Sequence, residues 1–148
     1  MSNFDPQSFL DASITESLDT KTIPCPVGEY MGIIDKVVPR QWTSKDGATS
    51  GIALDVFWLV EDESVKAFVG RDTVTVKQGI MLDTKDGGLD TTKGKNIGLG
   101  RLREAVNMNQ AGQPFSFAML AGQAAKVSVS HRIAGEDTFA EVKTVGRL

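Results

Sequence analysis

Cysteine, histidine and tyrosine each occur once in 148 residues, and these scarcities narrow the chemistry first. A lone Cys25 closes no internal disulfide, and no Asn-x-Ser/Thr site appears, so nothing points to an oxidising compartment. One Cys and one His without HExxH or CxxC spacing make no zinc site, and neither a metal nor another cofactor is expected. Cys25 lies between Pro24 and Pro26 with no basic neighbour closer than Lys21, so nothing local lowers its pKa toward a reactive thiolate. His131 falls in an alternating segment where a satisfied or surface imidazole is expected rather than a general base. Long apolar runs are missing too, and the first ten residues carry no basic segment followed by an apolar stretch, so a cytoplasmic protein away from the membrane is expected.

The familiar phosphate and cation loops come close and miss. Gly88 to Asn96 has one residue too many for a phosphate loop and lacks the Ser/Thr that binds magnesium. Gly98-Leu-Gly100 lacks the third glycine of a dinucleotide fingerprint, and Lys85 stands between Asp83 and Asp86 where a calcium loop needs oxygen. No catalytic residue is predicted, and the chain is read as a binding protein rather than an enzyme.

What is present is an ordinary globular composition, 41% hydrophobic and 24% charged, enough to bury one core and to exclude a disordered chain. The net charge of −3 conceals a division along the chain. Residues 1–70 hold five Lys/Arg against 11 Asp/Glu, whereas residues 71–148 hold 11 against eight. Between 91 and 132, Lys93, Lys95, Arg101, Arg103, Lys126 and Arg132 face a single acid, Glu104. Such a local surplus suits a polyanion, although a solvated helix face and loop give the same count.

Residues 1–22 read as an extended acidic arm, with Asp5, Asp11, Glu16 and Asp19 against Lys21, and Phe4, Phe9 and Leu10 as apolar anchors. The domain proper occupies 23–148. A first strand is predicted from Gly28 to Val38, ending at Pro39 with a bulge near Gly32. A second runs from Gly51 to Val60, with Ile52, Leu54, Val56, Trp58 and Val60 on the core face and Ala53, Asp55 and Phe57 opposite. After a turn at Glu61–Ser64, a third spans Thr73–Leu82 with Val74, Val76, Ile80 and Leu82 in phase. A polar loop, Asp83–Gly94, leads to a helix over Asn96–Asn107 whose Leu99, Leu102, Ala105 and Val106 share a side. Two further strands, Ala125–Ile133 and Thr138–Val145, form a hairpin. The order β-β-β-α-β-β predicts a mainly β fold, a five-stranded OB-type barrel with one α-helix between the third and fourth strands.

On such a barrel the binding ingredients are exposed aromatics and a basic groove. Arg40, Trp42 and Lys45 lie where the first strand enters its loop, and Phe57 faces away from the core. Lys77, Lys126 and Arg132 stand on polar faces of the third and fourth strands. These seven residues are the candidate nucleic-acid contacts. A rim tryptophan and a wet sheet face are the structural alternatives for Trp42 and for the lysines.

The runs Ile23–Ile34, Gly51–Trp58, Gly70-Arg71, Leu99–Val106, and Leu120–Gly122 before Val127–Val129 resemble small bacteriophage single-stranded-DNA-binding proteins of the OB fold. That resemblance spans 23–145 and rests on structural motifs. It implies sequence-independent binding and protection of single-stranded DNA in replication or recombination. It also implies contacts with replication or recombination proteins, in the host-cell cytoplasm, and is compatible with a homo-oligomer. Many such proteins end in an acidic tail that recruits partners, whereas this sequence ends Val145-Gly-Arg-Leu148 and carries its acidic segment at the other end. The alternative is a phage structural or assembly protein that uses the barrel for protein contacts.

Overall fold

Burial alternates with period two along Thr75–Leu82 and the first half of Ala124–Ala134, whereas residues 53–56 of the central strand are buried on both faces. The computed structural model describes residues 4–148, so residues 1–3 of the expected arm lie outside the described residues. In chain order the elements are α1 (Pro6–Asp11), β1 (Gly28–Thr43), β2 (Ser50–Val60), α2 (Glu63–Val69), β3 (Thr75–Leu82), β4 (Thr84–Lys85), β5 (Gly88–Leu89), α3 (Ile97–Ala105), a 3-10 turn (Phe117–Leu120), β6 (Ala124–Ala134) and β7 (Asp137–Gly146). Five of the strands close a barrel in the order β1-β2-β3-β7-β6. All neighbours are antiparallel except β3 and β7, which run parallel, and β6 closes the barrel onto Gly28–Ile33 of β1.

The barrel interior is filled by Ile34, Leu54, Val56, Trp58, Val60, Val76, Val127 and Val129. Leu99, Leu102 and Ala105 of α3 and Leu120 of the 3-10 turn join the same core. Trp58 is fully buried, and its indole N–H donates to Gln78 Oε1 at 2.9 Å, which gives a buried polar side chain its place in β3. Gly32 makes room for that indole: a Cβ there would lie 2.9 Å from the Trp58 ring and 3.0 Å from Val127.

Several expectations need correction. β1 does not end at Pro39 but continues to Thr43; beyond Ile33 it pairs with β2 alone, so a residue lacking an N–H sits at an edge that needs no donor. The bulge falls between Ile34 and Lys36 rather than at Gly32. Glu61–Ser64 is not a simple turn, because Asp62 accepts from the Val65 N–H at 3.1 Å and caps α2. The described residues thus hold three α-helices where one was expected. Ile52 lies at the open end of the barrel and is 41% exposed, so the core face of β2 begins at Leu54. The Gly-rich segment after Leu82 holds the β4–β5 hairpin. Asp83 and Asn96 clamp its ends: each backbone N–H donates to the other's side chain at 2.8 Å. No helix among the described residues is long and apolar enough to cross a membrane.

Candidate functional site

With Val56 and Trp58 buried inside, the alternation of β2 turns Phe57 outward, where it is half-buried. The register places Lys36 of β1 on one side of it and Lys77 of β3 on the other, both exposed. Lys36 Nζ stands 5.0 Å from the Phe57 ring centroid, within cation–π range. The same row continues through Glu141 of β7 to Ser130 of β6.

Arg132 pairs in register with Phe139, which is 47% exposed, and its guanidinium lies 5.2 Å from that ring. It also approaches the Glu141 carboxylate at 3.6 Å. The outer wall of β2, β3, β7 and β6 thus presents two aromatic rings, each attended by a cation, in neighbouring rows.

Farther along β1, Arg40 Nε donates to Asp55 Oδ2 at 3.0 Å. Trp42 pairs with Gly51, where a Cβ would sit 2.8 Å from the indole ring, so the ring lies against bare backbone. Its Nε1 is enclosed with no hydrogen-bond partner. One face of Trp42 is used in packing and one side of Phe57 is approached by Lys36, so both rings are half-buried on the outer wall. Exposed Lys45 sits in the loop from Ser44 to Thr49, which Asp46 organises by accepting from the Ser44 hydroxyl and the Ala48 N–H. Those two bonds hold the Asp46 carboxyl below its ordinary value.

Of the seven sequence-predicted residues, Arg40, Phe57 and Lys77 meet on one wall, with Trp42 and Lys45 at its β1–β2 end and Arg132 at its β6–β7 side. Lys126 does not join them. It lies six positions from Arg132 along β6, about 20 Å of extended strand, opposite Met31 and 3.8 Å from Glu29. Lys36 and Phe139 were missed by reading the sequence. Only the pairing register reveals Lys36 beside Phe57, and Phe139 shows itself only once the last hairpin's register is known.

The remaining reactive side chains are occupied or muted. His131 Nε2 lies 2.7 Å from the Cys25 carbonyl oxygen. Burial, with the Asp62 charge adding to it, pushes the Cys25 thiol up to about 11, so it is protonated at neutral pH. Among the described residues no group of three or more His, Cys, Asp or Glu side chains is placed to hold a metal ion. Comparison with protein-family models gives no match, and comparison with curated proteins gives none either.

Proposed function

We propose that this protein is an OB-type barrel that binds single-stranded DNA without sequence preference, protects it during phage replication or recombination, and performs no catalysis itself. The observation that carries the reading is the row Lys36–Phe57–Lys77: an outward aromatic ring between two cations on the wall of a closed mixed barrel. A base has a π-face for the ring whatever its identity, and the flanking ammonium groups suit the phosphates on either side. Strand connectivity supports the OB assignment, since three antiparallel strands are followed by a hairpin whose last strand runs parallel to the third. The resemblance to phage single-stranded-DNA-binding proteins agrees with it.

Fluorescence anisotropy with a labelled oligo-dT tests the proposal. Affinity is expected to fall with salt by a slope of about −0.7 per contacted phosphate. Phe57→Ala is expected to cost roughly 1–3 kcal/mol of binding. Absence of binding at low salt would overturn the reading in favour of an assembly protein. That second reading draws on the arm, where Phe9, Leu10, Ile14 and Leu18 are each at least 70% exposed and available to a protein partner.

A further inference from the structure

Two acid–base pairs stand on the outer wall, and they are built differently. Arg132 and Glu141 are open to water on both sides, with side chains 57% and 46% exposed. In the other pair Arg40 is 48% exposed while the Asp55 side chain is only 9% exposed. Asp55 Oδ2 takes the Arg40 Nε–H, and its Oδ1 is enclosed with no donor. Sinking a carboxylate with one oxygen unmatched costs stability, and a half-exposed arginine returns little of it. The register partners of Asp55, Val38 and Gly79, offer no side-chain donor that would explain its burial.

What the arrangement does accomplish is to fix an arginine. Guanidinium presents its donors in a rigid planar fork, so anchoring Nε also sets the direction of the two Nη groups. Those Nη groups make no hydrogen bond among the described residues. Asp55 lies two residues from Phe57 on the same face of β2, about 7 Å away.

We propose that Asp55 is a positioning residue that holds the Arg40 fork so that its Nη edge takes a phosphate of the strand whose base stacks on Phe57. The inference rests on the single-strand reading above and gives the wall an oriented phosphate contact beside its exposed lysines. It makes a prediction opposite to simple electrostatics. Removing a negative charge from a DNA-binding face ordinarily tightens binding, whereas removing Asp55 releases Arg40 and weakens it.

The experiment is anisotropy titration of the full chain with labelled oligo-dT across a salt series, accompanied by thermal melts. Asp55→Ala is expected to weaken binding roughly tenfold, in keeping with a lost charge-assisted hydrogen bond, and to lower the salt slope by about 0.7. Its melting temperature should not fall in parallel. Arg40→Ala should match it, and the double variant should bind no worse than either single one, because both remove the same contact. Glu141→Gln, at the open pair, should instead tighten binding. Arg40→Lys keeps the charge without the fork and should lose as much as Asp55→Ala, which keeps the test decisive if the aspartate variant fails to fold. Tighter or unchanged binding by Asp55→Ala, or parental binding by Arg40→Lys, overturns the proposal alone. A parent protein that binds no oligonucleotide overturns the single-strand reading and this inference together.

Discussion

The two faces of β2 are built to different standards. Inward, Leu54, Val56, Trp58 and Val60 are sealed from water, and the one polar atom among their side chains, the Trp58 indole N–H, has its acceptor in Gln78. Outward, the same strand and its neighbour β1 bury Asp55 Oδ1 and Trp42 Nε1 without partners and leave Phe57 half open between lysines. A fold selected for stability alone would satisfy or expose those atoms. The difference teaches that the sealed face of β2 pairs its polar atom while the outer wall leaves two enclosed polar atoms unpaired, at a local cost to stability.

The sharpest way to break that comparison is to truncate neighbouring aromatics on β2. Trp58→Ala should cost about 3–5 kcal/mol, because it opens a cavity at the centre of the barrel and strands the Gln78 side chain. Phe57→Ala should cost about 1 kcal/mol or less, since its ring is only half-buried and its loss leaves no enclosed void. Urea denaturation measures both. Equal losses would show that the outer ring is core, and the claim of two standards would fail.

A second pair of substitutions probes the interior more finely. Gln78→Leu removes the acceptor of the Trp58 indole and should cost about 1–3 kcal/mol despite being more apolar. Gly32→Ala should destabilise by about 1–3 kcal/mol through overpacking, because the added methyl would meet the Trp58 ring at 2.9 Å. If Gln78→Leu is stabilising, the indole finds another partner and the interior is less exacting than described.

How much of this was legible in the sequence follows from the same contrast. The interior was readable because alternation reports directly on burial: Leu54, Val56, Trp58 and Val60, the α3 stripe of Leu99, Leu102 and Ala105, and Val127 with Val129 are all where their period puts them. The outer wall was readable only in part. Phe57 follows from alternation, but its neighbours Lys36 and Lys77 belong to other strands, and the bulge between Ile34 and Lys36 decides which β1 residue stands beside it. Pro39 misled because its effect depends on whether that edge has a partner, which no local pattern states. Asp62 was an overlooked helix start: an aspartate before Glu63 and Ser64 is a recognisable cap, and its side chain takes the Val65 N–H.

That cap supplies a smaller test, outside both faces. Asp62→Ala should lower the melting temperature slightly by removing the helix's side-chain acceptor. It should also lower the Cys25 thiol toward its ordinary range, because the Asp62 charge contributes to holding it up. Alkylation of Cys25 at mildly alkaline pH should therefore be slow in the parent and somewhat faster in the variant. Burial, the larger cause, remains in place. A parent thiol that reacts as fast as a free cysteine would mean that the Pro24–Pro26 segment does not stay packed as described.

The smallest expected effect separates the two regions by pH. The interior barrel side chains named above have nothing to titrate in the acid range, whereas the Ser44–Thr49 loop that carries Lys45 is tied to Asp46. The Ser44 hydroxyl first, and the Ala48 N–H second, hold the Asp46 carboxyl below its ordinary value, so its ionised form is favoured in the folded loop. The sign follows from linkage: a depressed carboxylate contributes stability above its unfolded value and loses that contribution as pH falls through its folded value. Asp46 is fully exposed to water, so the consequence is local. On acidification the amide resonances of Ala48 and Thr49 should shift with a midpoint below that of an ordinary aspartate, while those of Val56 and Trp58 stay still over the same interval. Asp46→Asn should flatten the loop transition and leave the barrel unchanged. If the barrel amides move together with the loop, the loop is coupled to the core, and the outer wall is less independent of the interior than its unpaired atoms imply.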